Sequence, residues 1–265
     1  MKGNGDVFMT LKLYLDPGHG GADVGAAGNG LYEKNVTLQI AGSIQKILNE
    51  EYIGHVIKMS RTSDTHLPLS DRISRANKWG ATFYLSIHVH SGEQPGYTDF
   101  IYEKSGKQEQ EAIYQMIIHD EVIRATAFQD KGKQTASFRE LGECHMPALM
   151  TEIGCLNSIE DCRKMKKEPF IEQIARGYVK GLVKAFGLER RPSRENPDPP
   201  FLIMVKVGSL YYYNKPSWRA RAGIAHKGQI FTVIGKLTKK RAKMYKLNSG
   251  HYMTANPKYV EILPE

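Results

Sequence analysis

Twelve residues, Glu189–Pro200 (ERRPSRENPDPP), carry four prolines among charged and polar side chains. Each proline fixes φ and removes a backbone donor, so neither a helix nor a sheet interior accommodates that density. The stretch reads as a stiff, extended linker. The 265-residue chain must then fold as two units, residues 1–188 and 201–265, with 189–200 between them.

Charge divides the chain at the same place. Residues 1–190 hold 23 Lys+Arg against 24 Asp+Glu, a net of −1, whereas residues 201–265 hold 12 against 2, a net of +10. A near-neutral working unit joined to a strongly basic module suggests a module that meets an anionic surface. Three cysteines, Cys144, Cys155 and Cys162, are too few and of the wrong parity for a disulfide framework. The opening MKGNGDVFMT lacks the apolar core of a signal peptide, and no apolar run is long enough to span a membrane. A protein made in a reducing cytoplasm is the expectation.

In the first unit, Leu11–Asp16 and Val56–Ser60 read as strands, and Thr82–His90 is strongly β-prone. Val36, Ile40, Ile44, Ile47 and Leu48 recur at helical spacing from Lys34 onward. Pro68–Trp79 and Gln108–Thr126 read as helices, with a more exposed strand at Tyr97–Glu103 between them. Ala148–Ile153 is a short apolar strand, and Asp161–Phe186 one or two helices stopped by Gly187. Strands alternating with helices predict an α/β unit with a twisted, mostly parallel sheet flanked by helices. Beyond the linker, β-prone runs at 201–207, 229–235, 242–247 and 259–263 predict a small all-β barrel.

Four chemically able residues fall at strand ends or helix starts: His19 after the first strand, Glu33 opening the first helix, His88 closing the third strand, and Glu152 in ALMTEI. In open α/β sheets, sites form where the carboxyl ends of strands meet. Two His and one Glu form a catalytic zinc set that leaves one position open, and a further Glu beside them can move a proton. His90 leaves two readings open. Alternate strand residues share a face, so His88 and His90 could both ligate one metal with Glu33 as a helix cap. Alternatively, His90 contacts the groups behind the ligands, or the substrate.

LYLDPGHGGAD, YEKNVTL, SRTSD with LSDR and AN, LSIHVHS, and MPALMTEIGCLNS stand in order along residues 11–187. This succession resembles the zinc-dependent N-acetylmuramoyl-L-alanine amidases of the amidase-3 type. The resemblance implies one zinc ion held by His19, Glu33 and His88, with Glu152 catalytic. It implies hydrolysis of the bond between N-acetylmuramic acid and the L-alanine of the stem peptide. The chain departs from the family pattern at His90, where Asn is usual, and at Cys155, where Phe is common. Cys155 reads as a packed thiol, Arg61, Asp64 and Arg72 as a structural ion-pair network, and Cys144 and His145 as loop residues.

VKVGSLYYYNKPSW, KGQIFTVIG and YKLNSGHYMTANPKYVEIL resemble bacterial SH3-type (SH3b) wall-binding domains. The resemblance implies peptidoglycan as partner, with Tyr211, Tyr212, Tyr213, Trp218 and Tyr252 as candidate contacts, about half of them facing inward. The basic run Lys239, Lys240, Arg241 and Lys243, placed on a hairpin, by itself reads as a solvated turn, but the +10 net charge makes teichoic acid or another anionic wall polymer a further partner. Nucleic acid is not expected, because interleaved Arg and stacking signatures are missing. The rival from another class is a catalytically silent wall- or polyanion-binding protein, which would be expected to lose one of His19, Glu33, His88 or Glu152. Within the enzyme reading, the missing leader suggests a phage endolysin released onto the wall, with a sporulation autolysin as the alternative.

Overall fold

The computed structural model describes residues 10–92, 94–104, 108–191, 199–239 and 242–263. Residues 192–198 of the expected linker, and Lys240 and Arg241 of the basic run, lie outside the described residues. The chain forms two compact units that part between residues 191 and 192.

The first unit runs β1 (Leu11–Pro17), the two-residue strands β2 (Ala27–Gly28) and β3 (Leu31–Tyr32), α1 (Glu33–Glu51), β4 (His55–Met59), α2 (Leu69–Trp79) and β5 (Phe83–His90). It continues through β6 (Tyr97–Tyr102), α3 (Gln108–Thr126), β7 (Asp130–Ala136), α4 (Arg139–Gly142), β8 (Ala148–Cys155), α5 (Ile159–Met165) and α6 (Glu168–Phe186). The six-stranded sheet has the order β4-β1-β5-β8-β6-β7. All pairings are parallel except β6 with β8.

Strand alternation sorts the core. Leu13, Leu15, Leu85, Ile87 and Leu149 face a cluster that includes Ile40 and Ile44 of α1, Val122 of α3 and Tyr178 of α6. Tyr14, Tyr84, Ala148 and Met150 face the other way, onto Ile73 and Ala76 of α2 and Leu141 of α4. Both faces are therefore covered, as strands that send apolar side chains to both sides of a mostly parallel sheet require. All three cysteines are free and buried.

The structure differs from the sequence expectation in several elements. β7 (DKGKQTA) is a polar edge strand without an apolar signal; charged side chains on an edge discourage further pairing. Of the one or two helices expected at 161–186 the structure has two, and α5 begins earlier, at Ile159, with Ser158 as its N-cap, whose hydroxyl accepts from the Asp161 amide. A break at Lys166–Lys167 lets α6 restart with Pro169 in its first turn. Glu189–Arg191 are not linker but part of the first unit: the Glu189 carbonyl accepts from Ile53 N at 2.9 Å, and Tyr52 bridges to Arg190.

The second unit is an antiparallel seven-stranded sheet, β9 (Phe201–Val205), β10 (Ser209–Tyr213), β11 (Arg221–His226), β12 (Ile230–Lys239), β13 (Ala242–Leu247), β14 (Tyr252–Thr254) and β15 (Val260–Ile262). Its order is β11-β10-β14-β13-β12-β9-β15. Ile203, Val205, Val233, Tyr245, Leu247 and Met253 form its core. β10, β11 and β14 are short strands, tyrosine-bearing in β10 and β14 and glycine-bearing in β11, that a search for apolar runs passes over.

Candidate active site

His19 sits just past β1, in the left-handed backbone region at φ 61°. The glycines around it explain PGHGG and its sequel. A Cβ on Gly18 would lie 2.3 Å from the His88 ring, and one on Gly25 would lie 2.6 Å from both Glu33 and His19. The backbone thus forms a cradle that only glycine permits.

Within it, Glu33 is 4% exposed. Its Oε1 lies 2.9 Å from His88 Nδ1 and accepts from Val89 N at 3.0 Å. Its Oε2 lies 3.2 Å from His19 Nε2 and accepts from Ala26 N at 2.8 Å. Both amides come from other elements, and the helix cap is Tyr32. Burial alone would push the Glu33 carboxyl up, but the two imidazoles and the Ala26 amide outweigh it and hold it well below the usual carboxylate range. The Glu33 carboxylate in turn raises His19 against its partial burial.

One donor atom from each of His19, Glu33 and His88 lies within 4.8 Å of the other two. Two imidazole nitrogens and a carboxylate oxygen converging in a glycine-walled, part-buried recess fit a divalent metal of the zinc type. Asp23, which the sequence reasoning missed, lies 2.9 Å from His19 Nδ1 through Oδ1 and leaves Nε2 to face inward. Its signal is its place in GHGGAD, four residues after His19.

Glu152 is the register partner of His88 across the β5–β8 pair. His90 lies outside the converging set and turns to Glu152, with Nδ1 3.0 Å from Oε2. Cys155 is buried and bonds through Sγ to the Gly92 carbonyl at 3.1 Å. Cys144 and His145 follow α4 and are not among the converging residues.

Arg61, Arg72 and Asp64 hold the loop that carries His19. Arg72 Nη1 donates to Asp16 at 2.6 Å and to the Pro17 carbonyl at 2.8 Å, and Nη2 to the His19 carbonyl at 2.7 Å. Arg61 donates to the Pro17, Gly18 and Lys34 carbonyls. Asp64 accepts from Gly21 N and pairs with Lys34, each at 2.7 Å.

In the second unit the five candidate aromatics separate. Tyr211, Tyr213 and Trp218 line an open groove of about 450 Å³ with Ser209, Asn256 and Tyr259, and among the described residues no acidic side chain lines it. Trp218 stands edge-on to Tyr213 at 5.3 Å, and the Arg221 guanidinium covers the Tyr211 ring at 4.1 Å. Tyr212 packs instead on His251, and Tyr252 is not in the groove. Of the basic run, Lys239 lies on β12 and Lys243 on β13, where Lys239 pairs with Ala242 and Thr238 with Lys243.

Residues 13–184 match the family model described as N-acetylmuramoyl-L-alanine amidase, and residues 198–260 match a domain of unknown function. A sporulation-specific N-acetylmuramoyl-L-alanine amidase of Bacillus subtilis (strain 168) is 49% identical over 200 residues, 76% of this chain and 75% of that protein. An endolysin of Bacillus phage SPP1 is 31% identical over 269 residues, covering 96% of this chain and 99% of its own. Among solved structures, an N-acetylmuramoyl-L-alanine amidase from Clostridium difficile 630 superposes with a TM-score of 0.64 at 28% identity, covering 68% of this chain and 98% of that one.

Proposed function

This chain belongs to the N-acetylmuramoyl-L-alanine amidase family and has that activity, and on that premise we propose that His19, Glu33 and His88 hold one zinc ion while Glu152 moves the proton. The observation that carries the proposal is the convergence of the three donor atoms, with Glu152 in register beside His88.

Zinc bound there supplies Lewis acidity, acidifying water to a pKa of about 7 and polarising the scissile carbonyl. The chain's own groups do the rest. Asp23 holds the His19 ring so that Nε2 points inward, and the Val89 and Ala26 amides keep both Glu33 oxygens in place. Glu152 takes the proton of the attacking water on its carboxylate. It returns that proton to the nitrogen of L-alanine as the C–N bond to the lactyl carbonyl breaks, because the departing amine must be protonated to leave. The products are a free lactyl carboxylate and a peptide with a new amino terminus.

The second unit, read as an SH3b-like barrel, docks the enzyme on bacterial wall through the Tyr211–Tyr213–Trp218 groove, and its net +10 charge draws it to anionic wall polymers. The alignment with a phage endolysin over 96% of the chain, second unit included, favours the endolysin role. The 49% identity to a sporulation-specific amidase favours the alternative of a sporulation autolysin. Mass spectrometry of digested wall tests the bond: free L-alanine amino termini are expected, whereas newly exposed reducing sugars or cleaved cross-bridges would overturn it.

A further inference from the structure

We propose that His90 is the positioning residue for Glu152, an inference that rests on Glu152 being the proton-transfer group. The contact is direct, His90 Nδ1 to Glu152 Oε2 at 3.0 Å, between two part-buried side chains. With its proton on Nδ1, a neutral imidazole donates to one carboxylate oxygen and leaves Oε1 to meet the water. Holding a long, rotatable carboxylate in one rotamer removes an ordering cost from the chemical step.

The ring can do this because its other edge is fixed. A Cβ on residue 92 would lie 1.9 Å from His90 Nε2, so the Gly92 backbone lies hard against the imidazole. That backbone is itself stitched to the end of β8. Leu156 N donates to the His90 carbonyl at 2.8 Å, Cys155 Sγ to the Gly92 carbonyl at 3.1 Å, and Asn157 Nδ2 to the Ser91 carbonyl at 3.1 Å.

A bulge in β8 sets the geometry. The register passes from His88–Glu152 to His90–Cys155, so β8 carries one extra residue over that step. Gly154 absorbs it at φ 74°, and Asp161 gathers the amides of Cys155 and Gly96 at 3.0 and 3.2 Å. Bulges re-aim side chains beside sites; this one leaves Glu152 beside His88 and within reach of His90. The two positions where the chain departs from the family pattern, His90 and Cys155, are thereby register partners. The thiol supports the turn that clamps the imidazole.

The test uses the full-length, zinc-loaded enzyme on soluble muropeptides. His90→Ala is expected to lower kcat by about 10–100-fold, the usual loss for a group behind the reacting residues, with KM, bound zinc per chain and Tm held. His90→Asn, whose amide can donate to the same carboxylate, is expected to recover most of that loss. A His90→Ala enzyme with kcat within about twofold of the parent, loss of zinc in that variant, or His90→Asn as impaired as His90→Ala would each overturn the proposal. Glu152→Gln run alongside separates the two assignments: near-native turnover there overturns the role of Glu152 itself, whatever His90 does.

Discussion

Glu33 Oε1 lies 2.9 Å from His88 Nδ1, and the same oxygen accepts the amide of Val89. A residue at the start of α1 is thereby locked to the end of β5, and its second oxygen reaches His19. The recess is assembled by one buried carboxylate shared between two imidazoles that never touch in sequence.

On the proposed zinc site, metal removal is expected to abolish activity and added zinc to restore it. Glu33→Gln keeps the shape but weakens the anionic donor, so this variant no longer retains one zinc per chain through dialysis against a chelator that leaves the parent loaded. Metal analysis after dialysis measures it, and full retention would remove Glu33 from the donor set.

Glu152→Gln preserves volume and removes the proton acceptor. Turnover falls about 10²–10⁴-fold with zinc content and unfolding midpoint unchanged. Steady-state kinetics with parallel metal analysis decide it.

Arg72 is buried against Asp16 and three carbonyls. Arg72→Ala leaves the Asp16 carboxylate buried without its cation, a loss of about 3–5 kcal/mol in urea unfolding, and frees the His19 loop. Arg139, on the surface with Glu143, is the control: Arg139→Ala leaves the midpoint almost unmoved.

His119 is buried between Asp99 and Asp130, with Nδ1 3.0 Å and Nε2 2.9 Å from their oxygens. Burial alone would lower its pKa, but the two carboxylates outweigh burial and raise it. A raised folded pKa means that the protonated ring stabilises the fold below the unfolded value of about 6.5, and that this contribution disappears as pH rises through the folded value. The Tm gap between the parent and His119→Gln is therefore widest below about pH 6.5 and narrows as pH rises above it. Thermal melts across pH 6–9 measure the gap; one that widens with pH would reverse the assigned sign.

Trp218 stands at the rim of the aromatic groove, 45% exposed. Trp218→Ala in the full chain weakens binding to purified wall and lysis of whole cells, while hydrolysis of soluble muropeptides is unchanged. Added salt weakens the electrostatic share of parent binding, screened over a Debye length of about 8 Å at physiological ionic strength, and spares the aromatic share. Co-sedimentation with wall across a salt series reads both; binding lost wholly at moderate salt in the parent would reduce the unit to a nonspecific polycation.

Local order was legible from the sequence wherever one period dominated. The helical spacing of Val36, Ile40 and Ile44, the β-prone 82–90 run and the proline-dense break reappear in α1, β5 and the division after residue 191. The placement of His19, Glu33, His88 and Glu152 at or near element ends was legible, because the end of a strand is a local property. Which atoms meet was not. Alternation puts His88 and His90 on one face but cannot say that Glu33 crosses from α1 to His88 while His90 turns to Glu152; cross-strand register and the β8 bulge decide that. The polar edge strand β7, the contacts of buried His119 with buried Asp99 and exposed Asp130, and the sorting of Tyr211 from Tyr212 likewise came only with the tertiary structure. Each depends on partners distant in sequence, where hydrogen bonding and packing overrule the local pattern.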